Sequence, residues 1–160
     1  MQNDPLTLYD KNPIETQIVS AENYNSNLIK FQDQYHKNCL FNCDDFNSEY
    51  YFNEDGSFIS HFFCNKKYQG YDEIMPGGMI SALIDSAMTK CLFGHGIKAY
   101  TVRLNIKYIK PVKINNKITI IVNIKNYNSE IITLLSASLL QNDHKTVSAN
   151  AKFWINKSNN

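Results

Sequence analysis

The strongest structural pattern in the sequence runs from Met79 to Phe93 and reads Met-Ile-Ser-Ala-Leu-Ile-Asp-Ser-Ala-Met-Thr-Lys-Cys-Leu-Phe. Six apolar residues recur there with the period of an α-helix, namely Ile80, Leu83, Ile84, Ala87, Met88 and Cys91. Further apolar side chains lie on the other sides. A helix that is apolar nearly all round is a buried helix, so the sequence predicts a central helix over Gly78–Phe93. Gly94 and Gly96 follow it as stop signals.

Three segments behind the helix alternate between apolar and polar residues, which predicts antiparallel strands with one buried face. Their apolar positions are Val102, Leu104, Ile106 and Tyr108, then Ile118, Ile120, Val122 and Ile124, and then Val147, Ala149, Ala151, Phe153 and Ile155. Residues 131–140 are more continuously apolar, as a central strand should be. Asparagine-containing pairs at 115–116, 128–129 and 142–143 supply the turns.

Ahead of the helix, residues 50–52 and 58–64 predict a hairpin around Asp55-Gly56, a pair that favours positive φ. Residues 1–49 are polar and irregular, and we treat them as an N-terminal extension with one predicted helix between Ile14 and Phe31. Residues 50–156 then form a single domain. One buried helix together with a run of antiparallel strands predicts an α+β fold in which the sheet wraps around the helix.

Composition excludes several classes of function. A chain of 160 residues, 43% hydrophobic and 19% charged, suits one globular domain. The net charge is +1, and Arg103 is the one arginine among 16 cationic residues, which disfavours nucleic acid as a partner. No apolar run approaches the roughly 18–20 residues of a membrane helix. Residues 1–10 carry no secretory signal, and four cysteines are too few for a disulfide scaffold, so we expect a cytoplasmic protein without a membrane partner.

Two glycines, Gly77 and Gly78, stand where a buried helix normally begins with a capping side chain. Without such a cap the first backbone amides are open, and glycine lets a ligand approach the backbone closely. A helix start of this kind can bind an anion or a developing oxyanion. The alternative is a tight turn that requires glycine for positive φ.

Asp85 is a lone carboxylate within the apolar helix. An unpaired buried carboxylate is costly, so it must be paired, hydrogen-bonded or functional. Thr89, one turn later, is on the same face and within reach of a hydrogen bond. The alternative is a solvated polar stripe made of Ser81, Asp85, Ser86 and Thr89.

Three motifs together resemble the hotdog-fold acyl-CoA thioesterases, in the branch typified by the phenylacetate-degradation thioesterase. They are Gln69-Gly70-Tyr71, then Pro76-Gly77-Gly78 followed by Leu83-Ile84-Asp85 in the helix, and Tyr108 with Pro111-Val112 after the next strand. The family usually has histidine where this chain has Pro76. The resemblance covers residues 38–155 and implies the hotdog fold, a long central helix wrapped by an antiparallel sheet.

The resemblance also implies roles for individual residues. Gly77, with Gly78 beside it, matches the amide that polarises the thioester carbonyl, and Asp85 matches the general base or nucleophile. Thr89 matches a position that orients the attacking water, and Gln69 a loop residue near the substrate carbonyl. Pro76 can fix the turn sterically but cannot donate the hydrogen bond of the usual histidine.

Two lysines are candidate contacts for coenzyme A. Lys107 and Lys110 can meet its phosphates as point charges, or they can form a solvated sheet edge. The spacing of His36, Cys39 and Cys43 differs from the paired spacing of zinc sites, so we predict no metal and no other cofactor.

These features predict hydrolysis of an acyl-CoA thioester. A second hypothesis is a protein of the same fold that binds an acyl ligand without turnover, because the motif histidine is replaced. A third, a hydratase, is disfavoured because such relatives have histidine five residues after the aspartate, where this chain has Lys90.

Helix geometry predicts a homo-oligomer. Gly77 and Asp85 are eight residues apart in the sequence, or roughly 12 Å along one helix axis, so one helix cannot place both on the same carbonyl. Two antiparallel copies can, which predicts a dimer, or a tetramer built from dimers, with its sites shared between chains.

Overall fold

The computed structural model describes residues 29–30, 48–126 and 131–156. The predicted turn at 128–129 and the residues His36, Cys39 and Cys43 lie outside these ranges, as does most of the predicted N-terminal helix. That helix does not extend to Phe31 as predicted. Ile29–Lys30 instead forms a short strand, β1, which pairs with a strand at the edge of the main sheet.

One long helix packs against one antiparallel sheet, so the predicted α+β fold is confirmed. The helix α1 spans Gly77–Gly94, and a 3-10 turn spans Lys66–Tyr68. The main strands are β2 (Glu49–Phe52), β3 (Phe58–Cys64), β4 (Ala99–Tyr108), β5 (Asn116–Asn126), β6 (Ile132–Gln141) and β7 (His144–Ile155). Their order across the sheet is β1-β2-β3-β5-β6-β7-β4.

The turn predictions that fall on described residues are confirmed. Asn142 and Asp143 have φ of 50° and 60° between β6 and β7, and Asn115 has φ of 57° just before β5. Gly56, in the predicted hairpin between β2 and β3, has φ of 80°. Asparagine, aspartate and glycine tolerate this left-handed backbone best, and hairpin turns require it.

The core lies between α1 and the inner face of the sheet. Its buried residues on the helix include Ile80, Leu83, Ile84, Ala87, Met88 and Cys91, as the periodicity predicts. The alternating apolar residues of β5 and β7 meet them from the sheet. Ser81, Asp85, Ser86 and Thr89 are only partly buried, so the helix has one polar stripe. Lys90 is fully buried and places its ammonium 4.1 Å from the centre of the Tyr50 ring, a cation–π contact.

The end strand β4 departs from the predicted alternation at Val102. The register with β7 shifts between Thr101 and Arg103, so that Thr101 lies opposite Phe153 while Leu104 lies opposite Ala151. This β-bulge makes Val102 the extra residue, and its side chain is 58% exposed. The prediction that Val102 shares the buried face with Leu104 is therefore wrong. The bulge turns Thr101 toward the helix instead, and this positions the candidate site.

Candidate active site

The first turn of α1 begins without a side-chain cap. Pro76 is the N-cap residue, and its carbonyl oxygen accepts hydrogen bonds from the amides of Met79 and Ile80 at 3.1 and 3.2 Å. Within the described residues, the amides of Gly77 and Gly78 have no hydrogen-bond partner. Neither glycine has a positive φ, so the tight-turn alternative does not explain them. The helix therefore presents two open N–H groups at its positive end.

The two glycines have different surroundings. A Cβ built on Gly77 would lie 3.2 Å from the Tyr108 hydroxyl oxygen, which is tighter than an ordinary contact. A Cβ on Gly78 would have nothing within 4 Å. A side chain at position 77 would therefore displace its close neighbour on β4, while Gly78 faces open space that a ligand can enter.

The loop before the helix is fixed by the segment that follows β4. The Met75 amide donates to the Val112 carbonyl at 2.9 Å, and the Ile114 amide donates to the Glu73 carbonyl at 3.0 Å. A Cβ on Gly70 would lie 3.0 Å from the Cβ of Pro76, so the proline ring packs directly on the Gly70 backbone. These contacts hold Pro76 in place without a donor side chain.

A cavity of about 660 Å³ opens at this end of the helix. Its lining is mostly apolar and consists of Gly70, Tyr71, Ile74, Met75, Pro76, Gly77, Ile80, Tyr108, Ile109, Lys110, Pro111 and Val112. Three residues singled out from the sequence, Pro76, Gly77 and Lys110, therefore meet in one place. Apolar walls with a few convergent polar groups are typical of a small-molecule site.

Two other predicted substrate contacts do not line the cavity. Lys107 lies opposite Ser148 and alternates with Ile106 and Tyr108, so it points to the outer face of the sheet and is exposed. Gln69 lies beside the cavity, and its side-chain amide nitrogen is 3.5 Å from Asp72. The side-chain oxygen of Gln69 is buried and has no partner among the described residues.

Asp85 accepts a hydrogen bond that the sequence did not predict. The hydroxyl of Thr101 on β4 donates to Oδ1 of Asp85 at 2.7 Å, across 16 positions in sequence. No hydrogen bond joins Asp85 to Thr89, although the structure describes both. Asp85 is partly exposed and lies outside the cavity lining, two turns along the helix from Gly77. Within one chain, the carboxylate and the open amides are therefore separate.

Sequence reasoning missed Thr101, Ser81 and the contact role of Tyr108. Thr101 is found only when the bulge in β4 is known. Tyr108 was noted as a motif residue, but its hydroxyl contacts to the helix start require the packing of β4 on α1. The one usable signal was the aromatic residue at the end of a strand that follows the helix.

The other reactive side chains of the described residues suit packing roles. Burial raises the pKa of the Cys64 and Cys91 thiols to about 12, so neither is a thiolate nucleophile at neutral pH. His61 lies on the outer face, 3.0 Å from the Thr119 hydroxyl, and burial followed by the charge of Lys117 lowers its pKa. No group of three metal-ligating side chains occurs in the described ranges. Over the same ranges, no helix is long and apolar enough to cross a membrane.

Residues 73–135 match the family model of the thioesterase superfamily. Similar solved structures include a hypothetical thioesterase with coenzyme A from Streptococcus pneumoniae TIGR4, with a TM-score of 0.64 and 16% identity over 69% of this chain and 86% of that one. A protein from Streptococcus mutans UA159 bound to acetyl CoA has a TM-score of 0.60 and 18% identity over 63% and 82%. No curated protein sequence matches the chain.

The PaaI protein of the phenylacetic acid degradation operon of E. coli is also similar, with a TM-score of 0.59 and 12% identity over 63% of this chain and 73% of that one. Structures of the Streptococcus pneumoniae protein include variants in which an aspartate, or a threonine 16 residues after it, is replaced by alanine. The chain thus has the hotdog fold, as predicted. The match to the thioesterase superfamily model covers residues 73–135, which is less than half of the chain.

Proposed function

We propose that the protein hydrolyses an acyl-CoA thioester to the free acid and coenzyme A. The observation that carries this proposal is the pair of open amides at Gly77 and Gly78, which lie at the positive end of a buried helix and beside an apolar cavity. Such amides stabilise the negative charge that develops on a carbonyl oxygen when water attacks it. The match of residues 73–135 to the thioesterase superfamily model supports thioester hydrolysis as the general reaction.

In the proposed mechanism, the thioester carbonyl oxygen lies on the Gly77 and Gly78 amides. Asp85 removes a proton from water, or attacks as a nucleophile, and the carbonyl carbon becomes tetrahedral. When water attacks, collapse of this intermediate breaks the carbon–sulfur bond, and the proton taken up by Asp85 passes to the departing thiolate, which leaves the free acid and the coenzyme A thiol. When Asp85 attacks, the same collapse leaves an acyl anhydride on Asp85, and water then hydrolyses it to the free acid. The reaction requires neither a redox change nor a cofactor, so we propose no cofactor and no metal.

The contact between Thr101 and Asp85 supports the assignment of the base. A hydrogen bond to one carboxylate oxygen fixes the orientation of the group. The separation of 16 residues equals that between the aspartate and the threonine replaced in the Streptococcus pneumoniae thioesterase. We therefore propose that Thr101 orients Asp85. Thr89 keeps its proposed role of orienting water from the same face of the helix.

We further propose that Gly77 of one chain works with Asp85 of a second chain. The reacting carbonyl must lie about 3 Å from its donors and close to the base or its water. Eight helical residues separate the two groups by roughly 12 Å. The end strand β4 supports a partner chain there, because its outer edge pairs with no other described strand and most of its side chains are exposed. Two antiparallel copies related by a twofold axis would form two identical sites.

The coenzyme A end of the substrate has a proposed contact in Lys110. Its exposed ammonium lies in the cavity lining and can meet a phosphate as a point charge. Similar structures hold coenzyme A and acetyl CoA, which supports this substrate class. The likeness to the E. coli PaaI protein supports the phenylacetate-degradation branch. Buried free thiols at Cys64 and Cys91 suit the reducing cytoplasm that we propose as its location.

One observation favours a second candidate, an acyl-binding protein without turnover. Pro76 stands in the position of the usual motif histidine and offers no side-chain donor to the first turn. The same cavity and the same open amides would then hold an acyl ligand. Measured thiol release separates this candidate from the enzyme.

The test of the proposed function is thiol release from a panel of short, long and aromatic acyl-CoAs. We expect at least one substrate to be hydrolysed, and we expect Asp85→Asn to reduce the rate by a factor on the order of 10²–10⁴ while circular dichroism stays unchanged. Asp143→Asn, in an exposed turn, is the matched control and should retain the parental rate. An Asp85→Asn protein as fast as the parent would contradict the catalytic assignment.

A further inference from the structure

Three oxygen atoms meet at the start of α1. The Tyr108 hydroxyl donates to the Gly77 carbonyl at 2.9 Å, and the Ser81 hydroxyl donates to the same carbonyl at 2.8 Å. The two hydroxyl oxygens lie 2.7 Å apart, and because each hydroxyl has one proton, a hydroxyl that donates to the other no longer donates to the carbonyl. Tyr108 comes from the end of β4, so this cluster joins the end strand of the sheet to the first turn of the helix.

The Gly77 carbonyl shares one peptide plane with the Gly78 amide. Because a trans peptide is planar, its C=O and N–H groups point in opposite directions and turn together. The carbonyl points along the helix, so the Gly78 N–H points out of the open helix start. Any group that fixes the direction of this carbonyl therefore fixes the direction of a proposed oxyanion donor.

We propose that Tyr108 is a positioning residue for the oxyanion site. Its hydroxyl, together with that of Ser81, holds the Gly77–Gly78 peptide plane in the orientation that the developing negative charge requires. This role rests on the function proposed above. It also explains how the first turn stays ordered when its N-cap residue, Pro76, makes no side-chain hydrogen bond.

The packing of the tyrosine ring supports this assignment. A Cβ on Gly77 would lie 3.2 Å from the hydroxyl oxygen and 3.3 Å from the ring carbon that carries it. The ring thus lies directly against the glycine backbone, and any larger residue at position 77 would push it away. Tyr108 also lines the cavity, so it lies next to the proposed substrate site.

The expected effect is on the rate of the chemical step. Tyr108→Phe keeps the ring and removes one hydrogen bond, which corresponds to a loss of about five- to tenfold. A donor that is misdirected in the transition state lowers kcat and leaves substrate binding largely unchanged. We therefore expect kcat to fall by that factor, with KM changed less than twofold.

The first experiment compares the kinetics of Tyr108→Phe, Ser81→Ala and Tyr100→Phe. Tyr100→Phe is the matched control, because Tyr100 is on the same strand but stacks on Trp154 on the outer face of the sheet. We expect reduced kcat in the first two variants and parental kinetics in the control. Parental kcat in Tyr108→Phe, or a raised KM with kcat unchanged, would overturn the proposal.

The second experiment does not depend on turnover. Amide hydrogen exchange followed by NMR should be about five- to tenfold faster at Met79 and Ile80 in Tyr108→Phe, with the rest of α1 unchanged. Unaltered exchange, or a uniform increase along the helix, would overturn the proposal. If the parent hydrolyses no thioester while this local effect is found, the proposed function fails and the positioning of the first turn stands.

Discussion

At the residue scale, the proposed base, Asp85 on α1, is oriented by a side chain from the strand β4. Oδ1 of Asp85 accepts a hydrogen bond from the Thr101 hydroxyl at 2.7 Å, and Oδ2 has no hydrogen bond within the described residues. A carboxylate that acts on water needs one oxygen anchored and the other available. The side-chain arrangement around Asp85 fits that requirement.

Substitution of this threonine tests the arrangement. Thr101→Val keeps the shape of the side chain and removes the donor, and hydrogen bonds to charged groups contribute enough that kcat should fall by roughly 10–100-fold. Thr89→Val, a change of the same kind on the helix, is measured beside it by the same thiol-release assay. We expect the larger loss at Thr101. A larger loss at Thr89, with Thr101→Val near the parental rate, would show that Thr101 does not orient the base.

A second prediction at this scale concerns metal. We expect protein purified without added zinc to contain well under one equivalent of metal, because His36, Cys39 and Cys43 lack the paired spacing of zinc ligands. Elemental analysis of the purified protein provides the measurement. A stoichiometric metal that disappears in Cys39→Ser would contradict this expectation.

The sequence predicts some candidate site residues and not others for a physical reason. Asp85 and the two glycines stand out because each breaks a local rule, one as a charge in an apolar helix and the others as a missing cap. Thr101 and Tyr108 obey the local pattern of a strand, and only contacts across the sheet give them a role. Such contacts depend on register, which a single sequence does not fix.

At the element scale, the helix was predicted to within one residue at each end. Its period of apolar residues is strong, and glycine or proline stands at both boundaries, so local chemistry sets where it begins and ends. The observed span Gly77–Gly94 adds one residue at each end to the predicted Gly78–Phe93. The strands β4 to β7 follow for the same reason, since alternation with polar turns is also a local signal. The expectation that these four strands form a meander in chain order is wrong, because β4 pairs with β7 and β5 pairs with β3.

The bulge in β4 is a feature that the local sequence pattern does not predict. The residues from Val102 to Tyr108 alternate without interruption, and nothing in them marks an extra residue. The register with β7 nevertheless shifts between Thr101 and Arg103. A bulge reverses which side chains face the helix, and here it exchanges an apolar valine for the threonine that contacts Asp85. The periodicity of the sequence therefore could not predict which side chains at the start of β4 face the helix.

At the scale of the whole molecule, a single chain presents the parts of the proposed site separately. The cavity includes Gly77, while Asp85 lies two helical turns away and outside it. The unpaired edge of β4 and its exposed side chains leave room for a second copy. The proposed shared site therefore requires an oligomer, and a protein that is monomeric at assay concentration would contradict it.

Subunit mixing tests whether hydrolysis takes place at a site shared between two chains. Asp85→Ala and Gly77→Val are each expected to be inactive, the second because any side chain at position 77 meets Tyr108. After exchange, half of the dimers are mixed, and each mixed dimer holds one intact site and one doubly damaged site. We expect thiol release from acyl-CoA to return to about a quarter of the parental rate. No recovery, with subunit exchange shown by native mass spectrometry, would contradict the shared site.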